Sequence, residues 1–256
     1  MRRVGIYSND SLILSELVER VSRDYPTIFL TIYTDKGYLD SMDNIDNVRI
    51  TSIDDNIEDD SLVVLNDATK LGEKIKDFNG KIIDFSQTVQ GSKNVVYIEE
   101  PILYCFENLL DKTPDFAIIG LPAAVFGKAA VDDLLNQTRD IFSFVRNEYK
   151  VFDRMLAFNM FFVKRGDQLY KNYFDLLEEN LDFSFELRQL PVSTAFVIDI
   201  FGEIDFEESD EFVEKDIENL HDAVDEEKVV VMRNKKKTTV VGDYLKVIIN
   251  QIIREL

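Results

Sequence analysis

Two hydrophobic periods take turns along the first hundred residues. Residues 3–7, Arg-Val-Gly-Ile-Tyr, form a short apolar run that predicts a strand. Leu14, Leu17, Val18 and Val21 follow at spacings of three and four, the stripe of a helix lying on a sheet. Asp24-Tyr25-Pro26 ends that helix, because proline cannot continue it. TIFLTIYT at 27–34 is rich in β-branched and aromatic side chains and reads as a buried strand. Strand, helix and strand in succession make a right-handed βαβ unit. The alternation continues with strands at 48–52, 61–66, 81–86 and 94–99. A helix over 67–78 is stopped by Asn79-Gly80, and a second helix is opened by Pro101, whose missing N–H costs nothing there. This half predicts a largely parallel, nucleotide-type α/β domain.

The second half changes character. Its apolar runs lengthen: a long strand at 115–125, a strand-like stretch at 155–163, a long strand region at 183–201, and strands at 229–233 and 238–241. Helices are expected at 127–142, 167–180 and 207–221. A closing helix over 243–255 carries Leu245, Ile248, Ile249 and Ile252 on one face. Long strands with helices between them predict an α+β domain on a mixed sheet. The Asp-Lys-Thr-Pro turn at 111–114 marks the boundary.

Charge and composition narrow the chemistry. The 256 residues hold 49 Asp and Glu against 29 Lys and Arg, a net charge of −20. Such a chain repels phosphate backbones and acidic lipid, so neither nucleic acid nor a membrane is an expected partner. No apolar run reaches the roughly 18–20 residues of a span, and the first apolar stretch ends too soon for a signal peptide. A cytoplasmic protein is the expectation. One cysteine, Cys105, forbids an internal disulfide; with one histidine, His221, it cannot build the usual zinc site. No metal is expected. The acidic stretch 203–227 and the polar loop 40–47 lack calcium-loop spacing and read as solvated surface. The one basic cluster, Arg233, Lys235, Lys236 and Lys237, reads as an internal partner for the acidic helix.

From Gly120 the chain reads GLPAAVFGKAAVDDLLNQTRDIF and, from Phe152, FDRMLAFNMFF. This stretch resembles the aspartate-semialdehyde dehydrogenase family, and its divergent Usg-type branch more than the working dehydrogenases. The likeness rests on Gly127-Lys128-Ala129-Ala130, on Leu134, Gln137 and Thr138, and on Ala157-Phe158-Asn159. Leu190-Pro191-Val192 is similar to the family's Arg-Val-Pro-Val strand, and residues 240–256 to its closing strand and helix. The first half matches in element order and in IIDFS at 82–86. The likeness spans nearly the whole chain, but only 120–160 is specific. It implies a Rossmann-like domain over 1–112 plus 240–256 and an inserted α+β dimerisation domain over 113–239. It also implies a homodimer, with Phe158, Phe161, Phe162, Phe183, Phe185, Phe196 and Phe201 available to an interface or to the domain's own core.

The family's activity is NADP-dependent reduction of an acyl phosphate through a cysteine thiohemiacetal. Its parts do not carry over. The loop after the first strand, Tyr7-Ser8-Asn9-Asp10-Ser11, lacks the glycines that let a backbone approach pyrophosphate, and reads as a helix cap. The second loop, Asn66-Asp67-Ala68-Thr69-Lys70, lacks them too. Asp35 reads as part of the surface turn 34–37 or, alternatively, as a ribose contact. Aligning Pro101 with the family proline puts Leu103 at the nucleophile position. Cys105 shares a face with Ile102, Phe106 and Leu109 and reads as core; a register shift would make it the nucleophile. The family histidine position falls on Phe196, which accepts no proton. His221 reads as solvated. Residues 166–180, at the family's basic substrate helix, are shorter and more acidic. Arg188 is the one residual anion contact, or a surface partner of Glu186 or Asp182.

The expectation is therefore a homologue without catalytic or cofactor-binding residues, acting as a binding or scaffolding dimer with an unidentified protein partner. Two alternatives stand beside it. One is an NADP- or NAD-dependent semialdehyde dehydrogenase with a relocated site at Cys105. The other is a small-ligand sensor using the interdomain cleft, with Arg188 and Ser86-Gln87-Thr88 as polar contacts.

Overall fold

A computed structural model describes residues 2–9, 12–35, 45–146 and 148–256. Asp10 and Ser11 of the first loop, Lys36 and Gly37 of the following turn, and 40–44 of the polar loop lie outside the described residues. The chain forms two compact units, 1–99 with 248–256, and 100–247.

The first unit is a parallel sheet. It contains β1 (Arg2–Tyr7), α1 (Leu12–Asp24), β2 (Ile28–Thr34), β3 (Val48–Ser52), β4 (Ser61–Val64), α2 (Glu73–Asp77), β5 (Lys81–Asp84) and β6 (Val95–Tyr97). The strand order is β3-β2-β1-β4-β5-β6, parallel throughout. Strands buried on both faces need continuous apolar runs, and Leu62, Val63, Val64, Ile82 and Ile83 are all fully buried. Ile13, Leu14, Leu17, Val18 and Val21 make the buried stripe of α1. The helix expected over 67–78 is split. Gly72, at φ 52°, separates a 3-10 turn (Ala68–Leu71) from α2, because a left-handed residue cannot continue a right-handed helix.

The second unit contains α3 (Pro101–Leu109), β7 (Phe116–Leu121), α4 (Lys128–Phe142), β8 (Phe161–Phe162), α5 (Lys171–Asn180), β9 (Phe185–Gln189), β10 (Ala195–Phe201), β11 (Phe212–Glu214), α6 (Leu220–Asp225), β12 (Val229–Arg233) and β13 (Lys237–Asp243). It also holds the first turn of α7 (Tyr244–Glu255), whose remainder belongs to the first unit. The sheet order is β11-β12-β13-β10-β7-β9-β8, with β7–β9 and β11–β12 parallel and the other pairs antiparallel. The architecture is thus α/β with one parallel and one mixed sheet. The division falls at 99/100 and 247/248 rather than at 112/113 and 239/240. Helix α3 accounts for the shift, since Phe106 packs on Phe183 and Tyr104 on Phe212.

Four element expectations in this half need correction. The run 115–125 is strand only over β7; Pro122 turns it into a 3-10 turn (Ala123–Phe126). The region 183–201 is two strands, β9 and β10, separated by the Leu190-Pro191 corner. The strand-like stretch 155–163 pairs only at β8. The N–H groups of Leu156 and Ala157 bond the Gln137 carbonyl oxygen (2.7 and 3.2 Å), and Phe158 turns away at φ 63°, so no ladder forms earlier. The acidic helix over 207–221 is absent. Such a helix would stack Glu207 on Glu211, Asp210 on Glu214 and Glu214 on Glu218, all like charges four apart. Instead β11 pairs with β12, and α6 starts at Leu220 under the side-chain cap of Asn219.

Candidate functional site

In a parallel sheet, ligands bind outside the carboxyl ends of the strands where the order reverses, here between β1 and β4. Among the described residues that crevice is closed by its own side chains. The Asn66 carbonyl oxygen accepts from Ser8 Oγ (3.1 Å) and from the Asn9 N–H (2.8 Å). The Asn9 carbonyl oxygen accepts from Thr34 Oγ1 (3.3 Å) and the Asp35 N–H (3.2 Å). Asp35 and Lys70 form an ion pair between the β2 and β4 loops, and the carboxylate raises the lysine's pKa. A dinucleotide needs free loop amides and glycines for its pyrophosphate. Here the Asn9 amide is taken and residues 6–36 contain no glycine. These residues do not fit that group. Asp35, considered as turn or ribose contact, ends on Lys70.

The sensor candidates Ser86 and Thr88 also face inward. Asp84, fully buried at the end of β5, accepts from Ser86 Oγ (2.6 Å) and from the N–H groups of Gln87 (3.1 Å) and Val89 (2.9 Å). Thr88 Oγ1 accepts from the Ala68 N–H (2.7 Å). This is loop architecture, with Gln87 at φ 54°.

In the second unit, the N-terminus of α3 is the place to look for an activated nucleophile, because its N–H groups favour an anion. Glu100 occupies it. Its Oε2 accepts from the N–H groups of Ile102 (2.7 Å) and Leu103 (3.0 Å), and its Oε1 accepts from Tyr173 Oη (2.6 Å). The Tyr244 hydroxyl bonds it as well. Burial pushes the Glu100 carboxyl up to about 7, against these hydrogen bonds, which favour the charged form. Leu103 is half-buried on the same turn. Cys105 is fully buried, and burial, with Glu100 nearby, pushes its thiol well above the ordinary range. Ile102, Phe106 and Leu109 are buried with it. Phe196 is fully buried in β10 opposite Gly242; a Cβ there would lie 2.8 Å from its Cζ. Its place in an interface is excluded by that burial. His221 lies on α6 with its side chain 81% exposed, Nδ1 3.2 Å from Asp225.

Arg188 bonds Glu186 (2.9 Å) and covers the Phe162 ring. The basic cluster is paired, though with strands: Arg233 bonds Glu214 of β11 (2.6 Å) and Lys237 bonds Asp199 of β10 (2.8 Å). Among the described residues no three His, Cys, Asp or Glu side chains gather as metal ligands would, and no helix is long and apolar enough to cross a membrane.

Sequence reasoning missed Glu100 and its two tyrosines. The available signal was a carboxylate directly before a proline at a helix start, the N-cap position. It also missed Asp133, one turn before Gln137 on α4. Both are buried, and Asp133 Oδ2 accepts from the N–H groups of Lys150 (3.2 Å), Val151 (2.8 Å) and Phe152 (3.0 Å). Polar residues four apart inside an apolar stripe were the sign.

No protein-family model and no curated protein matches the chain. Solved structures do. Aspartate semialdehyde dehydrogenase II of Vibrio cholerae, complexed with ASA, is similar with a TM-score of 0.73 at 14% identity, over 99% of this chain and 96% of that one. A probable aspartate-semialdehyde dehydrogenase of Pseudomonas aeruginosa gives 0.69 at 15%, over 98% and 96%. The aspartate semialdehyde dehydrogenase of Francisella tularensis gives 0.65 at 13%, over 100% and 99%. At such identities the likeness is one of fold.

Proposed function

We propose that this chain is a divergent homologue of aspartate-semialdehyde dehydrogenase that has lost the chemistry and works as a binding or scaffolding homodimer in the cytoplasm. The observation that carries this reading is the end of α3. A working site needs that helix N-terminus to stabilise a thiolate. Here the chain's own Glu100 takes the N–H groups of Ile102 and Leu103. Leu103 has no nucleophile, and the nearest sulfur, Cys105, is a buried thiol held protonated. Phe196 stands in the core where the resemblance puts the proton-transfer residue. The chain's single histidine is in solvent on α6. The crevice of the first unit is bonded shut by Asn9, Asn66, Asp35 and Lys70. Neither NADP nor NAD has a role in this reading, and a protein partner takes the place of substrate.

Calorimetric titration with NADP⁺ and then NAD⁺ tests it. The expected result is no saturable heat up to millimolar cofactor, and no turnover of aspartate semialdehyde by the folded protein. Micromolar binding, about −8 kcal/mol, with turnover abolished by Cys105→Ser would overturn it in favour of a relocated dehydrogenase site.

A further inference from the structure

The described residues expose ten large apolar side chains, and eight of them lie between Leu135 and Phe162. The fold gathers them. Asp133 and Gln137 of α4 hold the backbone of 150–152 and 156–157, so the return segment runs beside the helix. At the far end the Phe142 and Phe158 rings meet edge to face, 5.8 Å apart. Phe162 lies on β8, the edge strand of the mixed sheet.

Two of these phenylalanines occupy backbone positions that suit glycine. Helix α4 ends with the Val145 N–H on the Asp140 carbonyl and the Phe144 N–H on the Ile141 carbonyl, a closure whose left-handed residue is usually glycine. Here it is Phe144, at φ 55° and 98% exposed. Phe158 repeats the arrangement at φ 63° and is 64% exposed. Each large ring is thus displayed to solvent from a strained residue, and neither contributes to the core. Strain of this kind gathers at functional surfaces.

We infer that this face joins two copies of the chain in a two-fold dimer, with Phe144 and Phe158 as its central anchors. The inference rests on the dimer proposed above and names its surface. Two quantities select a second copy as the occupant. The first is area. Eight such side chains present on the order of 900 Å² at about 200 Å² per fully exposed aromatic, close to the ~800 Å² per partner of a standard interface. The second is charge. Self-association of a −20 protein is opposed by repulsion, least where the surface is not acidic. Residues 139–165 hold six Arg and Lys against three Asp and Glu, a local +3 that leaves −23 on the rest. This is the face that two acidic copies can bring together at least cost.

Sedimentation velocity on the full chain over 0.1–100 µM tests the inference, with Phe144→Gly, Phe158→Asp and, away from the face, the exposed Tyr25→Asp as variants. The expected species is twice 29.7 kDa. Phe144→Gly and Phe158→Asp weaken dimerisation by about 30-fold or more each, the effect of losing a central aromatic anchor; Tyr25→Asp leaves it unchanged. Phe144→Gly separates interface from fold, since it relieves the backbone: the protein melts no lower while its dimer weakens. Raising salt tightens the wild-type dimer, because it screens the −20 repulsion. A dimer untouched by both phenylalanine variants overturns the surface and leaves the dimer standing. A monomer at every concentration overturns both. Open-ended polymers overturn the two-fold arrangement. The non-catalytic reading is decided separately by the cofactor titration.

Discussion

Glu100 makes stability depend on pH in a way that one substitution removes. Its carboxyl titrates near 7 in the folded protein, against 4.5 for an unperturbed glutamate, because burial disfavours the charged form. Below 4.5 both folded and unfolded chains hold the proton. Between 4.5 and 7 only the folded chain keeps it, so stability falls as pH rises through this window; above 7 the loss is complete. At 1.36 kcal/mol per pKa unit the full loss is about 3 kcal/mol, of which about 2–3 kcal/mol falls between pH 5 and 8. Glu100→Gln keeps the geometry without the ionisation. Its carbonyl oxygen can accept from Ile102 and Leu103, and its amide can donate to the two tyrosine hydroxyl oxygens. Urea unfolding followed by tyrosine fluorescence suits a chain with ten Tyr and no Trp. The expected result is that wild type and variant are similar near pH 5, and that the variant is about 2–3 kcal/mol more stable at pH 8. Charges elsewhere are common to both proteins and cancel in the difference. Parallel pH profiles for the two would refute the assignment of a buried, proton-holding carboxyl to Glu100.

Three further outcomes follow from named contacts. Cys105 should alkylate at below about 1% of the rate of a free cysteine at pH 8, since the thiol must wait for opening; mass spectrometry of native and urea-unfolded protein compares the two rates. Asp133→Ala strands three backbone N–H groups and should cost about 3 kcal/mol, with Gln137→Ala costing about 2 kcal/mol, both read by chemical unfolding. Gly242→Ala drives a methyl against the Phe196 ring and should cost about 2 kcal/mol. In a Phe196→Leu background most of that cost should disappear, and a double-mutant cycle by thermal melting measures the coupling.

Much of the first unit was legible from local pattern alone. Its strands are buried on both faces and its long helix on one, so the hydrophobic period of each element reports its surroundings directly. The stripe through Ile102, Cys105, Phe106 and Leu109 placed the cysteine in the core for the same reason. In the second unit the pattern misled where charge or side-chain bonding overrode it. The run 155–163 has the composition of a strand, yet Gln137 takes its amides first. Glu207 to Glu218 has the spacing of a helix, yet its carboxylates repel at that spacing.

By itself the sequence determined the two sheet types, the burial of Cys105 and the lack of a glycine-lined phosphate loop, because these depend on residue type and near-neighbour spacing. Tertiary structure alone decided that Glu100 meets Tyr173 and Tyr244, that Asn66 caps the loop after β1, and that Phe144 and Phe158 stand in solvent. Those facts join residues that the chain separates by up to 144 positions. No local period encodes which distant polar group will satisfy a buried amide or carboxylate; packing of the whole unit selects it.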